Sequence, residues 1–248
     1  VVQAPAQVYD PSANSWGATI PMVTGRFNHT ATLLDNGLVL ICGGQTVTGV
    51  PAVTPNCETF NPVSNTFSAT GAMQQGRAGH TATLLKNGRV WIAGGWNPAV
   101  SPNYLFTTER YDSTLGTFNS AAPLAQGRAF HTATMGGDGK VLVVGGLNSD
   151  NSTVNGNSFG FLTTVQLYDP VGNSMAPAAA MNTRRAMHAT VLSSDGHISV
   201  MGGLGNVTTT YHQTEFVGNL LTGSNVTVSF TPPTDHLTTG TISGGALG

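Results

Sequence analysis

The chain has 248 residues, of which 40% are hydrophobic and only 8% are charged, with a formal net charge of −2 at pH 7. This length suits one all-β domain, and the charged fraction lies far below the roughly 25% of an ordinary soluble domain. No basic run occurs, which argues against a nucleic-acid partner. No apolar run approaches the roughly 18 residues that a membrane-spanning helix needs. Such a composition is typical of secreted and surface-exposed β-proteins.

The N-terminal segment predicts half of a structural repeat. Gln7 lies two residues before Tyr9, and Trp16 follows. The same order, an acid or amide, one intervening residue and then an aromatic or apolar residue, recurs later as Glu58-Thr59-Phe60, Glu109-Arg110-Tyr111, Gln166-Leu167-Tyr168 and, more loosely, Glu215-Phe216-Val217. Because the chain opens on Val1 without a signal-peptide pattern, we expect a processed protein or a fragment of a longer one.

A four-part pattern recurs along the chain. An Arg-x-x-His step is followed by an apolar stretch, a polar turn, a second apolar stretch and a Gly-Gly pair. The arginines and histidines are Arg26 and His29, Arg77 and His80, Arg128 and His131, and Arg185 and His188. Each arginine lies 17 residues before its Gly-Gly pair, whereas successive arginines are 51, 51 and 57 residues apart. The constant spacing indicates a rigid unit, and the variable remainder indicates a loop that accepts insertions.

The second copy shows how one unit is expected to fold. Residues 81–85 predict a first strand, residues 90–93 a second strand covered on both faces, Arg110-Tyr111 part of a third and Thr117-Phe118 part of a fourth. Lys86-Asn87-Gly88 predicts a type I′ hairpin turn, because Asn-Gly accepts positive φ values. Four antiparallel strands make one blade, and stacking the blades around an axis buries their faces.

This repeat resembles the kelch repeat, in particular the secreted bacterial kind related to the propeller of galactose oxidase. The resemblance covers roughly residues 7–217 and implies an all-β, kelch-type β-propeller of four-stranded antiparallel blades, with the first strand of each blade innermost. We expect about five blades within residues 1–233, namely four clear repeats that start near residues 26, 77, 128 and 185 and a half-blade at 1–19. Residues 234–248 are predicted to be a Thr/Gly-rich tail or linker.

The half-blade has no matching Arg-x-x-His step elsewhere in the sequence. A degenerate segment, a partner chain or residues outside this chain must therefore close the ring.

The two cysteines are predicted to face each other across a ladder. Cys42 ends a second strand and Cys57 begins the adjacent third strand, as Ala93 and Thr108 do in the next copy. A disulfide there would stabilise the fold by about 3 kcal/mol and would favour an extracellular or cell-surface location. The alternative is two unlinked small core residues.

The recurring histidines admit two interpretations. A ring of imidazoles at a channel mouth could hold a metal ion. A residue that occurs in every blade more commonly serves the blade itself, so we expect each His and its Arg to hydrogen-bond backbone across the blade junction. Glu58, Glu109 and Glu215 are the only glutamates and are natural partners for the arginines. The sequence therefore predicts neither a metal ion nor another cofactor.

The galactose oxidase resemblance also raises the possibility of a copper radical enzyme. That family's site uses tyrosine and histidine ligands, with a Tyr-His pair at the Arg-x-x-His step and a cysteine crosslinked to a tyrosine. Here the residues before the histidines are Asn28, Gly79, Phe130 and Met187, and the only Tyr-His pair, Tyr211-His212, falls in a loop. These departures concern the residues that carry the chemistry, so a non-catalytic protein is favoured.

Aromatic residues gather in the connections between second and third strands. They are Trp96, Tyr104, Phe106, Phe159, Phe161 and Tyr211, with His212 beside the last. Strand directions bring these connections to one end of the propeller, the loop face, where they could line a binding surface for a protein segment or a glycan. The alternative is a lid that folds back over the blades.

These features favour a non-catalytic propeller module of a secreted or cell-surface protein, used for binding or assembly and without a membrane span. A carbohydrate-directed enzyme is the rival interpretation. A third is a structural subunit of a surface filament, in which the open half-blade or the strand at 226–230 completes a neighbouring subunit by strand addition.

Overall fold

The computed structural model describes residues 5–46, 52–148 and 160–205 with their side chains, and the backbone of two further strands. Every regular element in these residues is a β-strand. The predicted tail at 234–248 lies outside the described residues, as do Phe159, Tyr211 and His212.

The N-terminal segment forms a two-stranded antiparallel ribbon, residues 5–21. Strand β1 (Pro5–Ala6) pairs with β4 (Ile20–Pro21), and β2 (Tyr9–Asp10) pairs with β3 (Ser15–Trp16). Tyr9 lies opposite Trp16, as Tyr111 lies opposite Phe118 in the second repeat. The ribbon therefore corresponds to the third and fourth strands of a blade.

Four antiparallel sheets of four strands, the blades, follow the ribbon. The first blade contains β5 (Thr30–Leu33), β6 (Val39–Cys42), β9 (Cys57–Asn61) and β10 (Thr66–Ala69), with the short pair β7 (Gln45–Thr46) and β8 (Ala52–Val53) in its second-to-third connection. The second contains β11 (Thr81–Leu84), β12 (Val90–Ala93), β13 (Thr108–Asp112) and β14 (Thr117–Ala121). The third contains β15 (Thr132–Met135), β16 (Val141–Val144), β17 (Val165–Asp169) and β18 (Ser174–Ala178). The fourth contains β19 (Ala189–Leu192), β20 (His197–Met201), β21 (Thr214–Asn219) and β22 (Ser224–Ser229).

The first strands of the blades line the central axis. Strand β5 contacts β11, β11 contacts β15, and β15 contacts β19. No comparable contact joins β5 to β19 within the described part of the chain. The described blades therefore form an arc rather than a closed ring.

The hydrophobic core lies between neighbouring blades. Successive side chains of a strand point to opposite faces, so Val90 and Ile92 of β12 pack toward the first blade, while Trp91 and Ala93 pack toward the third. Trp91 is fully buried and stacks on Tyr168 of the third blade, with ring centroids 4.2 Å apart and an interplanar angle of 6°. The apolar second strands are buried on both faces, as their unbroken hydrophobic runs predict.

The inner hairpin turns differ from the predicted type I′ geometry. Gly88 has a φ of 76°, but Asn87 is not among the residues with positive φ. The bonds from Gly88 N–H to the Leu85 carbonyl and from Leu85 N–H to the Arg89 carbonyl enclose three residues rather than two. A three-residue loop is normally a type I turn followed by a left-handed glycine. Asn87 has another role here, because its Oδ1 accepts the Arg89 N–H at 3.2 Å.

The cysteines form a disulfide within the first blade. Cys42 and Cys57 are register partners at adjoining ends of β6 and β9, and both are buried in the core against the second blade. The predicted equivalent pair in the second blade, Ala93 with Thr108, is a register pair as well, and so are Val144 and Val165 at the same positions of the third blade.

Removal of this crosslink is expected to destabilise the protein. Because the disulfide restricts the unfolded chain, the double substitution Cys42→Ala and Cys57→Ala should lower the free energy of unfolding by about 3 kcal/mol. Urea titration measures this change, and dithiothreitol should lower the stability of the wild type but leave the double variant unaffected. Equal stability of oxidised and reduced wild-type protein would contradict the expectation.

Candidate functional site

The buried arginine of each repeat holds strands of its own blade together. Arg77 is fully buried, and its Nη1 donates to the carbonyls of Gly94 and Thr107 at 2.7 and 2.9 Å. Its Nη2 donates to Oε1 of Glu109 at 2.8 Å. One guanidinium thus joins the end of the second strand to the start of the third, and the planar donor fork suits this arrangement.

The glutamate holds the segment that enters the blade. Oε2 of Glu109 accepts the backbone N–H of Gln74, three residues before Arg77, at 2.8 Å. In the first blade Glu58 likewise binds Arg26 at 2.9 Å and the N–H of Val23 at 2.8 Å. In each of these blades the ion pair, the two carbonyls that accept from the arginine and the N–H that donates to the glutamate satisfy a buried charge of each sign.

The third blade lacks this ion pair. Gln166 stands where the other blades have glutamate, and its Oε1 accepts the N–H of Ala125 at 2.9 Å. The remaining amide group of Gln166 is a donor and cannot accept from a guanidinium. Arg128 instead donates from Nη2 to Oγ1 of Thr164 at 2.9 Å, and burial lowers its pKa to about 10.

Neighbouring blades are joined through the second glycine of each Gly-Gly pair. Its N–H donates at 2.8 Å to the backbone carbonyl of the next blade's arginine, from Gly44 to Arg77, from Gly95 to Arg128 and from Gly146 to Arg185. The next blade's histidine adds a bond between Nε2 and the hydroxyl of a first-strand threonine, at 2.9–3.0 Å, in the pairs His80–Thr30, His131–Thr81 and His188–Thr132. The arginine carbonyl and the histidine ring therefore cross the junction, whereas the arginine side chain, which we expected to cross, stays within its blade.

The Gly-Gly pairs of the first three blades are required by this close approach. Gly94 has a φ of 61°, and a Cβ atom there would lie 2.5 Å from the Arg128 carbonyl oxygen and 2.9 Å from Cε1 of His131. Any other residue would push the blades apart, which explains the glycine at this position.

The junction histidines are neutral at physiological pH. Burial, followed by the positive charge of the neighbouring arginine, lowers the pKa of His80 to about 3 and that of His188 to about 4, and it places the pKa of His131 well below its usual value. No group of three His, Cys, Asp or Glu side chains that could hold a metal ion occurs in the described residues.

A collar of backbone and apolar side chains forms the channel mouth at the loop face. The residues just before the histidines of the four Arg-x-x-His steps, Asn28, Gly79, Phe130 and Met187, all have φ values between 54° and 60°. Their backbones form a chain around the axis, in which Gly79 donates to Asn28, Phe130 to Gly79 and Met187 to Phe130, at 2.7–3.0 Å. Because Gly79 has no side chain, the Phe130 ring lies directly over its Cα.

Apolar side chains flank this backbone chain. The residue after each arginine bridges to the residue that directly follows the Gly-Gly pair of the same repeat, in the pairs Phe27–Gln45, Ala78–Trp96, Ala129–Leu147 and Ala186–Leu204. Phe27 is 41% exposed, Met187 54% and Leu204 47%. We call Phe27, Trp96, Phe130, Leu147, Met187 and Leu204 the mouth collar.

The structure places the predicted loop aromatics in different surroundings. Trp96 is half-buried in the mouth collar and bridges to Tyr104, and Phe161 bridges to Leu147. Phe106 is 44% exposed. The remaining three candidates lie outside the described residues, so the binding role of the whole set stays a prediction.

Sequence reasoning missed most of the mouth collar. Phe27, Phe130 and Met187 lie inside the Arg-x-x-His step, whose recurrence in every blade predicts a structural role. The sequence signal that could have identified them is their variation, because these positions differ from repeat to repeat while the flanking arginine and histidine do not.

The opposite end of the propeller carries a different surface. A cleft of about 350 Å³ lies between the turns of the second and third blades and contains both lysines of the chain. Lys86 donates to the carbonyl of Gly137, and Lys140 lies 4.0 Å from Asp169. Both ammonium groups therefore already have partners within the chain.

Comparisons with known proteins agree with the repeat. No protein-family model matches the chain. Kelch-like protein 33 of Homo sapiens is 28% identical over 130 residues, which are 52% of this chain and 22% of that protein. Kelch-like protein 25 of Xenopus tropicalis is 22% identical over 201 residues, which are 79% of this chain and 32% of that protein. The solved structure of YjhT has 16% identity and a TM-score of 0.68, covering 90% of this chain and 74% of its own.

The four-stranded blades, the repeat that builds them and these similarities define a kelch-type β-propeller. The all-β fold expected from the sequence is confirmed. The matched regions span between 22% and 32% of the curated relatives' length. None of the described residues forms a helix that could cross a membrane.

The junction histidines predict loss of stability in mild acid. Above pH 6.5 they are neutral in both the folded and the unfolded state. Below it the unfolded chain binds protons that the folded junctions exclude until about pH 4 or 3, so the free energy of unfolding should fall by about 1.4 kcal/mol per pH unit for each histidine. The substitution His80→Gln should reduce this slope between pH 6.5 and 5 by one histidine's share in urea titrations. Thr30→Val is the control, because it removes the hydrogen bond but keeps the titrating ring, and its slope should equal that of the wild type.

The difference between Glu109 and Gln166 predicts that substitutions at these two positions change the stability of the protein in opposite directions. Glu109→Gln leaves the buried Arg77 without its carboxylate and should destabilise the protein by about 3 kcal/mol. Gln166→Glu gives Arg128 a carboxylate acceptor in place of an amide donor and should stabilise it by about 1 kcal/mol. Thermal and urea unfolding of both variants checks the pair, and a loss of stability in Gln166→Glu would contradict the account of the third blade.

Proposed function

We propose that this chain is a non-catalytic protein-binding module of a secreted or cell-surface protein, and that it binds its partner at the mouth collar. The main observation in support of this proposal is that large apolar side chains are exposed around one opening of a rigid scaffold. Exposed apolar clusters of this kind mark interaction sites more often than isolated surface residues do. A kelch-type propeller fold is compatible with a protein-binding role.

The collar offers anchoring positions to a partner side chain. Phe27, Met187 and Leu204 are each between 41% and 54% exposed, so part of each side chain is fixed by the fold and part remains accessible. Fixed aromatic and aliphatic groups lose little conformational entropy on binding. No side chain of the collar is charged, which favours a partner segment with apolar anchors over an acidic or basic one.

Two further observations support the rest of the proposal. The Cys42–Cys57 disulfide favours an oxidising, extracellular environment. The described residues contain no cluster of metal-ligating side chains, and the junction histidines are engaged with threonine hydroxyls. These facts favour binding over catalysis.

Peptide selection tests the collar as the binding surface. A random peptide library displayed on phage is selected against the wild-type chain, and the peptides are then titrated against the triple variant Phe27→Ser, Met187→Ser and Leu204→Ser. We expect peptides with apolar anchors whose affinity for the variant falls by about 10-fold or more.

The matched control uses the opposite face. Val63, Leu115 and Val171 lie in the third-to-fourth turns and are 92%, 70% and 98% exposed. Serine at these three positions should leave peptide affinity unchanged, and both triple variants should keep the wild-type melting temperature. Loss of binding in this control alone would contradict the proposal, as would specific retention on a glycan array without any selected peptide.

A further inference from the structure

We infer that Asn36 and Asn87 are sites of a spontaneous covalent modification, the conversion of asparagine to aspartate. Each side chain is exposed and is followed by a glycine in an inner hairpin turn, at the end of the propeller opposite the mouth collar. This inference is independent of the proposed function, since it concerns the polar turns rather than the mouth collar.

The reaction needs only the asparagine, the next backbone nitrogen and water. That nitrogen loses its proton and attacks Cγ of the asparagine, so that a C–N bond forms, the bond between Cγ and Nδ2 breaks and ammonia leaves. Water then opens the resulting five-membered imide and gives aspartate or isoaspartate. Glycine favours the ring closure because it has no Cβ that would hinder its nitrogen, and asparagine is one of the thermolabile residues of proteins.

The other two inner turns already contain the product of this reaction. Asp138 and Asp195 stand where the first two blades have asparagine, and each is followed by glycine. In all four turns the Oδ1 atom at this position accepts the backbone N–H two residues later, at 3.0–3.2 Å. Asparagine and aspartate both make this bond. A carboxylate in place of the amide therefore keeps the turn intact.

The amide nitrogen that leaves has no structural role in these turns. Within the described residues, Nδ2 of Asn36 and of Asn87 donates to no other group. Each conversion adds one negative charge, so that both together take the formal net charge from −2 to −4. Asn87 borders the cleft that contains Lys86 and Lys140, so its new carboxylate would change the charge of this cleft.

The folded turn slows the attack on the asparagine. The N–H of Gly37 donates to the Leu34 carbonyl, and that of Gly88 donates to the Leu85 carbonyl, both at 2.9 Å. A nitrogen whose hydrogen is held in this bond cannot lose its proton and approach Cγ. The reaction must therefore pass through molecules in which the turn is locally open, and its rate reports how often each turn opens.

The two turns differ in how firmly neighbouring blades hold them. A Cβ atom at Gly88 would lie 2.9 Å from Oδ2 of Asp35 in the first blade, and Lys86 donates to the carbonyl of Gly137 in the third. At Gly37 no described atom lies within 4 Å of the corresponding Cβ position. We therefore expect the first turn to open more easily and Asn36 to convert before Asn87.

Peptide mapping by mass spectrometry tests the two sites. The folded wild-type chain is incubated in mildly alkaline buffer, and aspartate and isoaspartate are measured at every asparagine. We expect conversion at Asn36 first and about 10-fold more slowly at Asn87, with much slower conversion of the described asparagines that no glycine follows. In concentrated urea the two rates should rise and become similar, because the turns no longer differ. The pair Asn155-Gly156 lies outside the described residues and is mapped as a separate peptide.

Substitutions test the chemistry and the fit of the product. Asn87→Gln keeps an amide but would require a six-membered ring, so conversion at this position should stop while the rate at Asn36 stays unchanged. Asn36→Asp and Asn87→Asp should melt close to the wild type. They should also melt above the matched variants Asn36→Ala and Asn87→Ala, which remove the acceptor for the N–H two residues later.

Three results would overturn the inference. The first is conversion of Asn36 and Asn87 in the folded chain that is no faster than that of asparagines without a following glycine. The second is faster conversion of Asn87 than of Asn36 in the folded chain, because the second turn is the one held from both sides. The third is a pair of aspartate variants that melt no higher than their alanine counterparts.

Discussion

The contact between the Gly-Gly pair of one blade and the Arg-x-x-His step of the next is the constraint on which the propeller depends. At each described junction a glycine N–H binds the arginine carbonyl at 2.8 Å, and the histidine ring packs where a Cβ atom would otherwise lie. The contact fixes the distance and angle between blades near the axis. The large core residues farther out, such as Trp91 stacked on Tyr168, then fill a gap of defined width.

The arginine gives this contact its rigidity because one residue binds both within its blade and between blades. Its guanidinium ties together strands of its own blade, and its carbonyl binds the blade before it. Such a group must be buried, and a buried cation is costly unless it is paired. All three blades provide backbone carbonyls, but only the first and second add a glutamate, and the third has a threonine hydroxyl without one. The junction between the second and third blades therefore keeps the geometry of the others with weaker electrostatic compensation of its arginine.

The blade architecture and the disulfide could be predicted because they follow from spacing along single strands. A period of two places Cys42 opposite Cys57 once the strand ends are located. The hairpin turn was predicted incorrectly because Asn-Gly alone does not determine loop length, and the closing pair Leu85–Arg89 encloses three residues. The mouth collar could not be predicted, since the placement of Phe130 over Gly79 depends on two blades meeting at the axis. The local sequence does not determine how closely two blades approach each other at the axis, because that distance depends on the packing of the whole junction.

The same junction explains why the mouth collar can vary. The arginine and histidine carry the contacts between blades, so the two residues between them need only adopt a backbone conformation that joins them. The second of these, Asn28, Gly79, Phe130 or Met187, is left-handed, and its N–H and carbonyl are used in the chain of bonds around the axis. Its side chain has no part in those bonds, so the fold leaves the residue type at this position free to vary. Within the described residues this chain of bonds runs from Asn28 to Met187, so different side chains stand on one repeated backbone conformation at this end of the propeller.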